Sequence, residues 1–300
     1  MFKFSFPNPD GDACLTNEGE STTEQSLLQW IPSEKIPVLP SHLKYMLAHQ
    51  DSVNHMKVSN LTLAHISTKS AVKCATEETG GDNGVKLAEE LHSDLVPAKY
   101  EGGLKIWECT EDLLDWLLSN RSYINLQGKY VLDLGCGAGL LGIAALKDGA
   151  NVIFQDYNKE VIDSCTIPNV LLNLTNDESQ KLIENGIEKK THCEFYSGDW
   201  SSFTDKIQEG REKELKFDFI LTSETIYNPE NHQKLCNVFK KCLKTSGCVY
   251  LAAKTYYFGV GGGLRQFENL LKEDGFLKSE ICWKCPSGVS REIIKISFTS

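Results

Sequence analysis

Between Val131 and Gly142 the chain reads VLDLGCGAGLLG: a short apolar run, glycines at 135, 137, 139 and 142, then an apolar stretch suited to a helix. Glycine loses more backbone freedom on ordering than any other residue, so this density marks a turn whose backbone must come close to something. Such a turn, ending a strand and opening a helix whose N-terminus faces the crevice, is the nucleotide cradle of an open α/β sheet. Gly137, Gly139 and Gly142 meet the G-x-G-x-x-G spacing, so a nicotinamide oxidoreductase is one reading. Asp133 argues for another. Its charge suits a pyrophosphate badly and the ammonium of S-adenosylmethionine well. Asp156, which ends the next strand, suits ribose hydroxyls of either cofactor.

The surrounding pattern alternates strands and helices. Strands are expected at 129–134, 151–155, 193–196, 217–222 and 248–253, with helices at 140–147, 160–174 (interrupted near Pro168), 229–243 and 263–273. Two final strands, 277–283 and 291–298, have no helix between them and must form an antiparallel hairpin. This order predicts an α/β fold: a seven-stranded, Rossmann-like methyltransferase sheet, mostly parallel with an antiparallel last strand. Residues 1–35 read as a disordered lead-in. Residues 36–99 read as a small accessory element and connector, with a helix from Pro40, one strand over 58–66 and a flexible stretch over 76–83, with continuation to Pro97 as a second option. Residues 100–300 form the methyltransferase domain.

Composition narrows the function. A formal charge of −10 disfavours direct nucleic-acid binding, which needs a basic face, and suits a basic partner. No apolar run is long enough to span a bilayer, and the opening MFKFSFPNPDGD lacks an apolar leader core, so an intracellular protein without membrane association is expected. The 11 cysteines include one C-x-x-C, Cys282–Cys285, without a matching second pair, so reduced thiols and no metal site are expected.

Several blocks together resemble the eukaryotic histidine protein methyltransferases: EGGLKIWECT (101–110), the glycine loop, FQDYN (154–158), LTSETIYNP (221–229) and YFGVGGG (257–263). The resemblance implies S-adenosylmethionine as cofactor. As acceptor it implies a histidine of a basic large-subunit ribosomal protein, methylated at the distal (tele) ring nitrogen. It places Ile106, Trp107, Glu108, Cys109 and Thr110 along the cofactor and Gly135, beside Gly137 and Asp133, in the loop. Gln155, Asp156 and Tyr157 fall at the ribose and adenosine, Gly198, Asp199 and Trp200 at the adenine, and Ser223 near the methionine part. Trp107 and Trp200 also read as plain core aromatics. A monomer in the cytoplasm, with a nuclear or nucleolar share, is the accompanying expectation.

Histidine, with an ordinary pKa near 6.5, needs orientation and tautomer control rather than strong activation. Glu224 or Asn228 is assigned to orient the ring and Tyr227 to wall the pocket; Asn228-Pro229 also reads as a simple turn. The Gly259–Gly263 run reads as a substrate-side flap, a close backbone contact or an ordinary left-handed turn, and Lys189–Lys190 as a solvated pair. His92, in the expected connector, is a candidate for modification by the enzyme itself. A lysine methyltransferase of the same fold and a cofactor-binding scaffold without turnover remain alternatives.

Overall fold

A computed structural model describes residues 30–78, 84–96, 99–185 and 192–299. The N-terminal part holds β1 (Glu34–Ile36), α1 (Pro40–Ala48), β2 (Val53–Val58), β3 (Leu61–Ile66), α2 (Thr68–Glu78) and α3 (Gly84–Glu90). After α4 (Glu108–Ser119) come β4 (Tyr130–Leu134), α5 (Leu140–Lys147), β5 (Asn151–Asp156), α6 (Lys159–Val161), a π-turn (Ile162–Thr166), α7 (Ile167–Asn173) and α8 (Asn176–Asn185). The chain ends with β6 (Cys193–Ser197), α9 (Trp200–Lys206), β7 (Phe217–Ser223), α10 (His232–Cys242), β8 (Leu243–Lys254), α11 (Leu264–Asp274), β9 (Leu277–Lys284) and β10 (Arg291–Phe298).

The main sheet has eight strands in the order β1-β6-β5-β4-β7-β8-β10-β9. The seven expected strands are all present. β6, β5, β4, β7 and β8 run parallel, and β10 inserts antiparallel between β8 and β9. The eighth strand corrects the expectation: β1, which straddles the boundary between the expected lead-in and accessory element, pairs antiparallel with the β6 edge and buries Ile36.

Alternation along the strands sends successive side chains to opposite faces. Val131 of β4 and Cys248, Tyr250 and Ala252 of β8 join one core with residues of α4, α5 and α7. Leu132, Leu134, Val249, Leu251 and Ala253 join the other core, with Phe203, Phe239 and Phe267 from α9, α10 and α11. Each fully buried phenylalanine contributes about 1.5–3 kcal/mol relative to exposure. Both cores leave the carboxyl ends of the parallel strands free to shape a crevice.

Three local readings change. The expected strand over 58–66 is the second arm of a β2–β3 hairpin whose turn holds Ser59 at φ 50°. The continuation of the expected flexible stretch is helical in α3, where Val85 and Ala88 are buried; residues 79–83 lie outside the described residues. The helix before Pro168 widens into the π-turn, and Pro168 falls in the first turn of α7, where its lack of an N–H is tolerated. α4 was not anticipated as a helix, although Cys109, Leu113, Leu114 and Leu117 recur on one face and are buried. Residues 1–29 and Lys189–Lys190 also lie outside the described residues.

Candidate active site

A cleft of about 1050 Å³, open to solvent, lies at the carboxyl ends of β4, β5 and β7. Its floor is the glycine loop, where Gly135, Gly137 and Gly139 all take positive φ, at 63°, 49° and 74°. A Cβ on Gly135 would stand 2.6 Å from Thr225 Cγ2, and one on Gly137 would stand 2.8 Å from the Gly103 carbonyl oxygen. The loop is held from outside: Thr166 Oγ1 donates to the Gly137 carbonyl at 2.7 Å, and Asn169 Nδ2 to that of Ala138 at 2.9 Å.

At the end of β5, Asp156 takes the Gly137 N–H at 2.9 Å and the Asn158 N–H at 3.2 Å. Burial pushes its pKa up to about 6 against these donors. Beyond it, Tyr157, Asp199 and Trp200 line the cleft. Asp199 caps α9 by accepting the Ser201 N–H at 2.8 Å and pairs with Lys234 at 2.7 Å. Burial raises its pKa, but these partners outweigh it and hold the carboxyl below its ordinary value. On the opposite wall stand Ile106, Trp107 and Thr110, with Thr110 and Ser223 joined hydroxyl to hydroxyl at 2.8 Å.

The structure therefore brings together ten of the expected cofactor residues: Ile106, Trp107, Thr110, Gly135, Gly137, Asp156, Tyr157, Asp199, Trp200 and Ser223. The other five, Glu108, Cys109, Asp133, Gln155 and Gly198, are not among the residues that line the cleft. Asp133 is the main correction. It is 1% exposed, its Oδ2 accepts the Gly142 N–H at 2.8 Å, and burial pushes its pKa up to about 8, so it pins the first turn of α5 instead of meeting a cofactor ammonium. Gln155 is fully buried; it donates to the Gly198 carbonyl at 2.8 Å and accepts the Trp200 indole N–H at 3.0 Å, orienting a wall residue. Gly198 makes room for the N-terminal segment, since a Cβ there would stand 2.6 Å from Ser33 Cα. Cys109 is buried, and Glu108 pairs with Lys254 at 3.3 Å.

On the acceptor side Glu224 and Tyr227 line the cleft. Asn228 does not: its Oδ1 accepts the Glu230 N–H at 3.0 Å, so it is the cap of the following turn. Glu224 sits at φ 58°, is 8% exposed, and neither of its oxygens has a hydrogen-bond partner among the described residues. Lys254 Nζ lies 3.6 Å away. Burial first, then the Glu224 charge, push the Tyr257 hydroxyl and the Cys109 thiol up. The Tyr227 hydroxyl donates to Glu101.

Sequence reasoning missed Glu101, Lys105, Thr225, Asn231 and Tyr257 as lining residues. Glu101 and Tyr257 fall in blocks already singled out, whereas Asn231 carried no signal. Gly262 makes the close backbone contact: its N–H donates to the Tyr227 carbonyl at 2.9 Å, and a Cβ there would stand 2.2 Å from that oxygen. His92 is exposed, at φ 49° in the turn that closes α3, three residues before the cleft-lining Leu95.

The glycine cradle, the buried acid at the end of β5 and the aromatic wall fit S-adenosylmethionine, the methyl donor of this fold. Comparison with known proteins agrees. A family model described as lysine methyltransferase matches residues 94–259. The histidine protein methyltransferase 1 homolog of Bos taurus is 36% identical over 302 residues, covering 97% of this chain and 79% of that protein. The Mus musculus homolog is 42% identical over 234 residues, covering 74% of this chain and 64% of that protein. In structure, a Streptococcus mutans protein described as a SAM-dependent methyltransferase aligns with TM-score 0.50 and 13% identity over 82% of this chain and 55% of its own, a likeness of fold. The chain belongs to the histidine protein methyltransferases, S-adenosylmethionine-dependent enzymes with a Rossmann-like sheet.

Proposed function

We propose that this enzyme methylates the tele nitrogen of a histidine in a basic ribosomal protein of the large subunit. The single observation that carries the acceptor chemistry is Glu224: a cleft-lining carboxylate, withdrawn from water, with no hydrogen bond satisfied. Its ion pair with Lys254, at 3.6 Å, is longer than a hydrogen bond, so both oxygens keep acceptor capacity that an imidazole N–H arriving from substrate would fill. Holding the N–H of one ring nitrogen leaves the lone pair on the other, which is the tautomer that attack requires.

S-adenosylmethionine supplies an electrophilic methyl group on a sulfonium. The chain's part is alignment and exclusion of water. Tyr227, fixed by Glu101, and Tyr257, edge-on to it at 6.4 Å between centroids, wall the acceptor side. Near neutral pH an ordinary histidine is already mostly unprotonated, so no strong base is needed. The −10 net charge supports a basic protein substrate. A lysine acceptor is the second reading, favoured by the description of the matching family model. Radiolabelled methyl transfer into purified large-subunit proteins, followed by identification of the labelled residue, tests the assignment.

A further inference from the structure

The loop between β8 and α11 buries one aromatic ring and presents its two neighbours to solvent. Tyr257 is 1% exposed and lines the cleft, whereas Tyr256 is 50% and Phe258 78% exposed. Those two rings meet edge to face, with centroids 4.8 Å apart. The loop is tied on three sides. The Tyr257 N–H donates to the Gly262 carbonyl at 2.9 Å, the Gly262 N–H to the Tyr227 carbonyl at 2.9 Å, and the Thr255 N–H to the Ser290 carbonyl at 3.0 Å. The pair is thus fixed to the backbone of Tyr227, on the acceptor side of the cleft.

Phe276, another exposed aromatic, differs. Phe276 has Lys240 Nζ 5.3 Å from its ring centroid, whereas no lysine or arginine among the described residues is placed over Tyr256 or Phe258. Nearby cations are engaged: Lys254 with Glu108 and Glu224, Lys105 with Asp94, Arg291 with Asp112. A carboxylate, Glu101, lines the cleft itself, bound by the Tyr227 hydroxyl. Two exposed aromatic rings at the rim of a cleft that holds a carboxylate, in a chain of net charge −10, match one chemistry. Guanidinium and ammonium groups stack on such faces, the more so where carboxylates neutralise them.

We propose that Tyr256 and Phe258 dock a cationic segment flanking the acceptor histidine, an arginine- or lysine-bearing stretch of the basic protein substrate. This rests on the reading of Glu224 and Tyr227 as the acceptor side. It makes the pair a selector of sequence context, acting on substrate affinity and not on the methyl transfer itself.

Calorimetry on the full chain loaded with S-adenosylhomocysteine tests it, using an arginine-rich, histidine-free peptide and its glutamine counterpart. Wild type should bind the arginine peptide and not the glutamine one. Tyr256→Ser with Phe258→Ser should weaken that binding at least about tenfold, with S-adenosylhomocysteine affinity held within about twofold, and the Trp-for-both variant should retain binding. Equal peptide binding by wild type and the serine variant, equal binding of both peptides, or no binding to wild type overturns the proposal. So does a fall in sedimentation coefficient of the serine variant with peptide binding intact, which would make the pair a contact between copies. Absence of histidine labelling, with the peptide difference preserved, would count against the acceptor assignment and leave this docking surface standing.

Discussion

Lys254 Nζ lies 3.6 Å from Glu224 Oε1, both side chains at least nine-tenths buried, at the neighbouring carboxyl ends of β7 and β8. The same ammonium reaches Glu108 at 3.3 Å and sits 5.6 Å from the Trp107 ring centroid. One buried cation therefore ties the start of α4, a cofactor-wall aromatic and the acceptor-side carboxylate together. A partner-free charge in such a place is strongly destabilising, so the ion pair is expected to hold Glu224 in position.

Glu224→Gln should lower kcat by about tenfold to a hundredfold while leaving S-adenosylmethionine affinity within about twofold, because the loss is confined to alignment of the acceptor. Lys254→Met should lower kcat as well, with Lys254→Arg restoring part of the activity. Steady-state kinetics with calorimetry of the cofactor separates these outcomes. A fall in cofactor affinity alone in Glu224→Gln removes it from the acceptor role.

The glycine loop makes a second prediction. Gly135→Ala places a side chain at φ 63° and 2.6 Å from Thr225 Cγ2. The left-handed backbone alone costs about 1–2 kcal/mol. S-adenosylmethionine affinity should fall at least about tenfold, and calorimetry showing unchanged affinity would contradict the cradle.

Much of this was legible because it is local. Glycine density around 135–142 and runs of β-branched and aromatic residues announce a turn and strands wherever they occur. Asp133 was misjudged through orientation: it shares a face with Val131, two residues earlier, and so points under α5 toward the Gly142 N–H. Parity along the strand held that information. Tyr257 and Asn231 reach the cleft only because a loop folds back on Tyr227 and a helix starts beside it, which no local pattern encodes. Asn228 illustrates the reverse, since an Asn before Pro-Glu is a good cap and needed no further role.

Asp133 gives a pH prediction with a definite sign. Burial raises its folded-state pKa to about 8, so the folded protein binds this proton more tightly than the unfolded chain does. Its contribution to stability is full below an unfolded pKa of about 3.9 and is lost as pH rises through about 8. Asp133→Asn should flatten the fall in Tm of the ligand-free protein across that window. An identical slope in both proteins would contradict the assignment.

His92 remains a candidate for self-modification, but by a different route. The reach expected between His92 and Ile106 is shortened by the Val96–Tyr100 bridge, and the residue stays exposed near Leu95. Any methylation of His92 should therefore depend on protein concentration, passing between molecules. Mass spectrometry of wild type and Gly135→Ala, each incubated with S-adenosylmethionine over a concentration series, should show the mark in wild type alone. Its absence from wild type under conditions where the protein substrate is methylated excludes the idea.

The most direct test of the whole account is the identity of the methylated atom. Purified large-subunit ribosomal proteins from cells lacking the enzyme would be incubated with the full chain and methyl-labelled S-adenosylmethionine, hydrolysed and separated against standards. Label in tele-methylhistidine from one basic protein, lowered at least about tenfold by Glu224→Gln at matched cofactor occupancy, is the expected result; label in methyllysine, or in pros-methylhistidine, would contradict it.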